Sequence, residues 1–176
     1  MKRPENPAIS EIAVLRFTVA PDAKPGDREV RLATPQGLTN PMLFKIGQMP
    51  EFSEPGKKNI EAQRTVKEAQ AGKYRTADDK VEKSIDLPVV VNGQILPGAV
   101  DRYRFAARKG MRIVIASSAR ELIPYLADAV PGWFQATLTL NDAAGNEVAY
   151  DDDFRFNPDP VLYYEIPADG DYFLEI

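Results

Sequence analysis

The residues best equipped for chemistry in this chain are oxygen donors and aromatic rings. The densest oxygen cluster is Asp151-Asp152-Asp153, with Asn141, Asp142 and Asn146 on the hairpin before it. Calcium takes about six to eight oxygen ligands, several of them carboxylates. Along an extended segment Asp151 and Asp153 share a face and Asp152 points the other way. The spacing is not the Asp-x-Asp-x-Asp-Gly of an EF-hand. Two readings stand side by side: a metal site built on Asp142, Asp151, Asp152 and Asp153, or a solvated acidic turn whose carboxylates cap free backbone N–H groups.

The aromatic candidates lie in the segment Glu121 to Phe134. Tyr125, Trp133 and Phe134 are bracketed there by Pro124, Pro131 and Gly132. Rigid rings stack on sugars or peptide planes and anchor interfaces. Phe154 and Arg155, within Asp153-Phe-Arg-Phe156, extend the same mixed aromatic and charged edge. The competing reading is a lid that buries these rings over an open end of the fold. Arg120 is expected to pair with an acid in either case.

Catalytic options are narrow. The chain contains no His and no Cys. That removes a Ser-His-Asp triad, thiol chemistry and the usual zinc sites. Ser117-Ser118 lacks a Gly-x-Ser-x-Gly elbow, and Lys109 sits beside a turn glycine where it faces solvent. A carboxylate pair drawn from Asp151 to Asp153 has no supporting groups nearby for acid–base work. The expectation is a non-enzymatic chain with no resident cofactor, calcium being the one open possibility.

Composition sets the outer limits. The 176 residues are 44% hydrophobic and 27% charged, with a net charge of −4, as expected for a soluble globular protein. Mixed charge without a basic stripe argues against nucleic acid as a partner. No apolar run approaches the ~18 residues of a membrane span. The absence of cysteine leaves the compartment open. The start, Met1 to Pro7, lacks the apolar stretch of a secretory signal.

The elements that must position these groups are strands. Leu87–Leu96, Asp101–Phe105, Met111–Ile115, Ala136–Leu140, Val161–Ile166 and Asp171–Ile176 alternate apolar and polar residues between turns rich in Gly, Asn, Asp and Pro. That patterning predicts an all-β chain with an antiparallel β-sandwich of jelly-roll type over residues 87–176. Tyr103 with Phe105, Met111 with Ile113 and Ile115, Leu138 with Leu140, and Leu162 with Tyr164 and Ile166 are the expected core. Upstream, Ile12–Val19, Arg28–Ala33 and Met42–Ile46 read as three strands joined by Pro-Gly turns. Residues 48–86 read as a solvated linker, with one helix expected from Asn59 to Ala71.

The ordered set Leu87-Pro-Val-Val-Val-Asn92-Gly-Gln-Ile95, Pro97-Gly98, Asp101-Arg-Tyr-Arg-Phe105, Lys109-Gly110, Leu138-Thr-Leu-Asn-Asp142, Gly145, Asp152-Asp153 and Pro167-Ala-Asp-Gly-Asp-Tyr172 resembles the bacterial pre-peptidase C-terminal (PPC) domain. It covers about half the chain. Residues 1–47, through the strand Glu29-Val-Arg-Leu32, the turn Thr34-Pro-Gln-Gly37 and the closing Phe44-Lys-Ile46, resemble part of an immunoglobulin-like IPT/TIG repeat. The first resemblance implies an exported, non-catalytic module that aids secretion, anchoring or substrate capture. It implies a periplasmic, cell-surface or extracellular setting, and as partners a protein or polysaccharide polymer and neighbouring domains of the same polypeptide.

Some relatives of that family bind calcium through an acidic linker and Asp residues before a Tyr-x-Phe strand. This resemblance adds Asp101 to the candidate metal ligands. The linker acids are interrupted here, because Glu54-Pro55 runs into Gly56-Lys57-Lys58. Three functions follow as expectations. The first is an accessory or binding module of a larger exported protein. The second is a calcium-dependent protein- or glycan-binding domain. The third is a fragment of a secreted hydrolase whose active site lies outside this chain. A half-built sandwich at the front, with open strand edges, also suggests a longer protein or self-association.

Overall fold

Tyr103, Phe105 and Ala107 alternate along one strand, and all three are buried. Their neighbours Arg104 and Ala106 face outward. This two-residue period repeats in the strands beside them and builds a five-stranded sheet. The computed structural model describes residues 15–54, 82–95, 99–122 and 135–176. In that sheet β6 (Glu82–Ser84), β8 (Arg102–Ala107), β13 (Gly170–Glu175), β10 (Leu138–Asn141) and β11 (Glu147–Asp151) lie side by side. Two smaller sheets complete the packing: β9 (Arg112–Ala116) with β12 (Val161–Glu165), and β5 (Glu51–Ser53) with β7 (Val90–Asn92).

The core lies between these layers. From the five-stranded sheet come Tyr103, Phe105, Leu138, Leu140, Tyr172 and Leu174; from the other side come Ile113, Leu162 and Ile166. Phe52, Val91, Ile115 and Tyr164 pack against them as partly buried neighbours. Leu138 and Leu140 are 0% exposed, and burying each stabilises the fold by roughly 1.5–3 kcal/mol. The result is a mostly antiparallel, all-β sandwich-type fold, as the patterning requires.

Two details depart from the sequence reading. The antiparallel rule has exceptions: β5 runs parallel to β7, and β6 runs parallel to β8. Parallel neighbours need a long crossover, and the chain from β5 to β7 supplies one. Residues 48–86, expected as a linker, therefore contribute β5 and β6 to the sheets. Neither strand alternates apolar residues over enough length to be recognised alone. The helix expected from Asn59 to Ala71 lies outside the described residues.

The front segment pairs β1 (Gly26–Val30) with β4 (Met42–Ile46), and β2 (Ala33–Thr34) with β3 (Gly37–Leu38). The expected strand Arg28–Ala33 is thus divided: its first part lies in β1 and its end begins β2. Of the strand expected at Ile12–Val19, the described part, residues 15–19, lies outside any strand. Its Phe17 ring instead rests on Phe44 at 4.9 Å between centroids. Alternation alone does not make a strand; backbone pairing with a neighbour decides it. Lys45 on β4 binds Glu121 at 2.8 Å, which ties this segment to the sandwich.

Candidate functional site

The carboxylates proposed as metal ligands are dispersed among separate structural jobs. Asp142 opens the β10–β11 turn and accepts hydrogen bonds from Ala144 N and Asn146 N, both at 2.9 Å, and from Asn146 Nδ2 at 3.0 Å. The Asn146 side chain, aided by backbone N–H groups, holds the Asp142 carboxyl below its usual range. Asp151 accepts from Val161 N at 2.7 Å and so joins β11 to β12. Asp152 hydrogen-bonds Tyr150, and Asp153 is exposed. Asp101 stands elsewhere, before β8. Among the described residues no three Asp, Glu, His or Cys side chains group closely enough to hold a metal ion.

Asp101 and Glu54, singled out from the sequence only in connection with a metal, belong to a buried ionic cluster around Lys83 that the sequence reading did not foresee. Glu54 follows β5, Lys83 lies in β6, and Tyr103 lies in β8. Lys83 Nζ donates to both Glu54 Oε1 and Asp101 Oδ1, the latter at 3.0 Å. Tyr103 Oη donates to the same Glu54 oxygen at 2.5 Å, and the ammonium lies 5.4 Å from the Tyr103 ring centroid. The Glu54 and Asp101 side chains are only 4% and 6% exposed, and that of Lys83 is 19% exposed. Gly93 makes room: a Cβ there would meet the Glu54 carboxylate at 3.0 Å and Tyr103 Oη at 3.4 Å. Lys83 lies in a three-residue strand and Glu54 just after another, both too short to recognise, so only the pairing of β5 with β7 and β6 with β8 assembles the cluster.

This cluster sets a pH window. Burial opposes the charge of Glu54, but hydrogen bonds from Lys83 and Tyr103 prevail and hold its pKa below 4.5. Burial likewise opposes the charge of Lys83, but Glu54 and Asp101 raise its pKa above 10.5. Burial, then the hydrogen bond to Glu54, drives Tyr103 well above its ordinary 10.0. A depressed acid contributes stability that is lost as pH falls below 4.5. A raised Lys or Tyr contributes stability that is lost as pH climbs above about 10. The melting temperature is expected to be flat between these limits and to fall on both sides. Tyr103→Phe should soften the alkaline limb; an unchanged limb in that variant would contradict the assignment.

The aromatic candidates divide in a different way. Tyr125, Trp133 and Phe134 lie outside the described residues. Phe154 flanks, and Arg155 begins, a two-residue turn between β11 and β12, closed by Phe154 N to Asn157 O and Asn157 N to Phe154 O, both 2.9 Å. Its central residues both have positive φ, 52° at Arg155 and 66° at Phe156. This is the I′ arrangement that Asn-Gly normally supplies. Holding Arg and Phe there costs on the order of 1–3 kcal/mol each. Phe156 is completely exposed as a result.

The turn extends an apolar outer face. The Phe154 ring lies 5.9 Å from that of Tyr163 on β12, and the Arg155 guanidinium lies 5.1 Å from the centre of Phe154. Tyr163 faces Val114 across the β9–β12 ladder; they are 61% and 60% exposed. The outer face of the five-stranded sheet is unlike this one. There Arg104 binds Asp171 at 2.7 Å and Arg102 approaches Glu175 at 3.5 Å. Exposed ion pairs of that kind contribute under about 1 kcal/mol each, but they keep the surface hydrated. Of these two outer faces, the one at β9–β12 carries the larger exposed apolar side chains, with Arg112 opposite Glu165 at its end.

The described residues define the class of this chain as an all-β, sandwich-type fold. Part of the chain is similar to a probable subtilase-type serine protease of Deinococcus radiodurans, at 36% identity over 80 residues. That match covers 46% of this chain and 10% of the protease, so the chain corresponds to a small share of that relative's length. No family model matches the chain. Among the described residues, no helix is long and apolar enough to cross a membrane.

Proposed function

We propose that this chain is a non-catalytic accessory part of a larger exported bacterial protein of the peptidase kind. In this reading it captures polypeptide substrate for an active site located outside the chain. The observation that carries the proposal is the exposed surface formed by Val114, Tyr163, Phe154, Arg155 and Phe156. Its strained turn holds a phenylalanine fully in water, and strain of that sort persists where it serves a contact. The similarity to part of a serine protease supports polypeptide over polysaccharide as the captured polymer. The PPC-like motifs and the exported setting they imply are part of the same reading. Flat aromatic rings beside a guanidinium suit an extended chain, through stacking on peptide planes and hydrogen bonds to carbonyls.

The experiment is retention on the immobilised 176-residue chain. A reduced, carboxymethylated protein is compared with soluble chitin and cellulose oligomers. Retention of the unfolded polypeptide is the expected result. Retention of the oligosaccharides alone would transfer the surface to glycan capture, and retention of neither would end the proposal.

A further inference from the structure

Lys83 carries a primary amine into the sandwich and sets it against a carboxyl group. Its strand β6 runs parallel to β8, with Lys83 opposite Tyr103. Asp101 lies two residues before Tyr103 and shares its inward face. The amine therefore reaches Asp101 diagonally, with Nζ 3.0 Å from Oδ1. The Tyr103 ring, itself edge-on to Phe52, forms an apolar wall beside Nζ. The two carboxylates at Nζ are held differently. Glu54 accepts from Nζ, from Tyr103 Oη and from the backbone of Gln94. Asp101 uses only Oδ1; its Oδ2 is buried and has no hydrogen-bond partner among the described residues. An ion pair leaves that oxygen poorly served, which is expensive in the interior. A neutral amide in the same place would remove both charges. The Asp101 backbone is pinned by reciprocal hydrogen bonds with Ile176, both 3.0 Å, so the carboxyl group has little freedom to turn away from the amine.

We propose that Lys83 Nζ condenses with Asp101 Cγ to form an intramolecular isopeptide bond, with Glu54 as the proton carrier. The ammonium passes a proton to Glu54, which neutralises two buried charges at once. The amine lone pair attacks Asp101 Cγ and the C–N bond forms. Glu54 gives its proton to an Asp101 oxygen, takes a second from the nitrogen and delivers it to the same oxygen as the C–O bond breaks. That oxygen leaves as water, both protons having come from the ammonium, and Glu54 ends as the carboxylate it was. No oxidant or cofactor enters. Amide condensation is unfavourable between free groups in water, but fixed neighbours gain an effective concentration of roughly 10⁵–10⁸ M. The bond joins β6 to β8 in a chain that has no Cys and hence no disulfide. The ion pair is the state that precedes the bond, and the pH limits of the cluster belong to that state.

Intact-mass spectrometry of the folded 176-residue chain, incubated at neutral pH, reads the reaction. The chain should become lighter by one water. A tryptic digest should lose cleavage after Lys83 and yield a branched peptide joining Lys83 to Asp101. Lys83→Arg should keep its full mass. Glu54→Gln keeps a hydrogen-bonding side chain but carries no proton, and it should slow the loss of water by roughly a hundredfold or more. An Asp-Gly pair such as Asp169-Gly170 can also lose water by closing a succinimide, but that loss persists in Lys83→Arg and reverses in mild alkali. Thermal melts verify that each chain is folded. A native chain that melts cooperatively yet keeps its full mass would overturn the proposal. So would equal loss of water in Lys83→Arg, a branch at Glu54 in place of Asp101, or an undiminished rate in a folded Glu54→Gln chain.

Discussion

Glu54→Ala is expected to remove about 3–5 kcal/mol from the unfolding free energy, the cost of breaking a buried ion pair from one side. The Glu54 side chain is 4% exposed and holds two donors at once, Lys83 Nζ and Tyr103 Oη. Its loss leaves the tyrosine hydroxyl without this acceptor, a penalty of about 1–3 kcal/mol in itself. The ammonium keeps Asp101 at 3.0 Å. It is 19% exposed, so it can draw partly on solvent, which places the expected loss nearer the lower bound. Urea denaturation measures it. A double-mutant cycle with Lys83→Met separates the pair from the hydroxyl. A loss below 1 kcal/mol would show that water screens the cluster and that β5 and β6 are held by backbone pairing alone.

Tyr163→Ala is expected to weaken polypeptide capture by about 2 kcal/mol, roughly thirtyfold, the loss typical of a central aromatic anchor. Tyr163 stands between Val114 across the ladder and Phe154 above, so truncation removes the middle of the surface. Because its side chain is 61% exposed, stability should change by less than about 0.5 kcal/mol. The companion variant Phe156→Gly separates strain from contact. Glycine accepts the 66° φ without a Cβ penalty, so the fold should gain about 1 kcal/mol while capture declines. Titration of a labelled unfolded peptide gives the affinities, and thermal melts give the stabilities. A Phe156→Gly chain that is more stable and binds equally well would reduce the turn to an accident of loop geometry.

The candidate surface was partly legible. Phe154 and Arg155 stood out as an aromatic and basic pair beside acids. Their neighbour Phe156 was harder to weigh, because nothing in Asp153-Phe-Arg-Phe156 announces a turn that ordinarily demands glycine. Tyr163 alternates with Leu162 and Tyr164 and read as part of a strand. Its exposure depends on which face β12 turns toward the five-stranded sheet. The acid cluster around Asp151 offered either a metal site or a solvated turn, because proximity in sequence concentrates charge. Proximity in space then divided it, since Asp142, Asp151 and Asp152 each serve a different local partner.

What the amino-acid order determined alone is the local part of the structure. Alternation along Arg102–Ala107, Leu138–Asn141, Val161–Glu165 and Gly170–Glu175 decides which side chains turn inward, because the two-residue period belongs to any extended backbone. Turn residues such as Gly110 and Gly145, both at positive φ, mark where strands end. Only the tertiary structure decided that short segments near Phe52 and Lys83 become parallel strands, and that Glu54, Lys83, Asp101 and Tyr103 meet. Three-residue strands bury too little to declare themselves. Their hydrogen bonds come from β7 and β8, so both their identity and their charge pairing exist only once distant backbone has arrived.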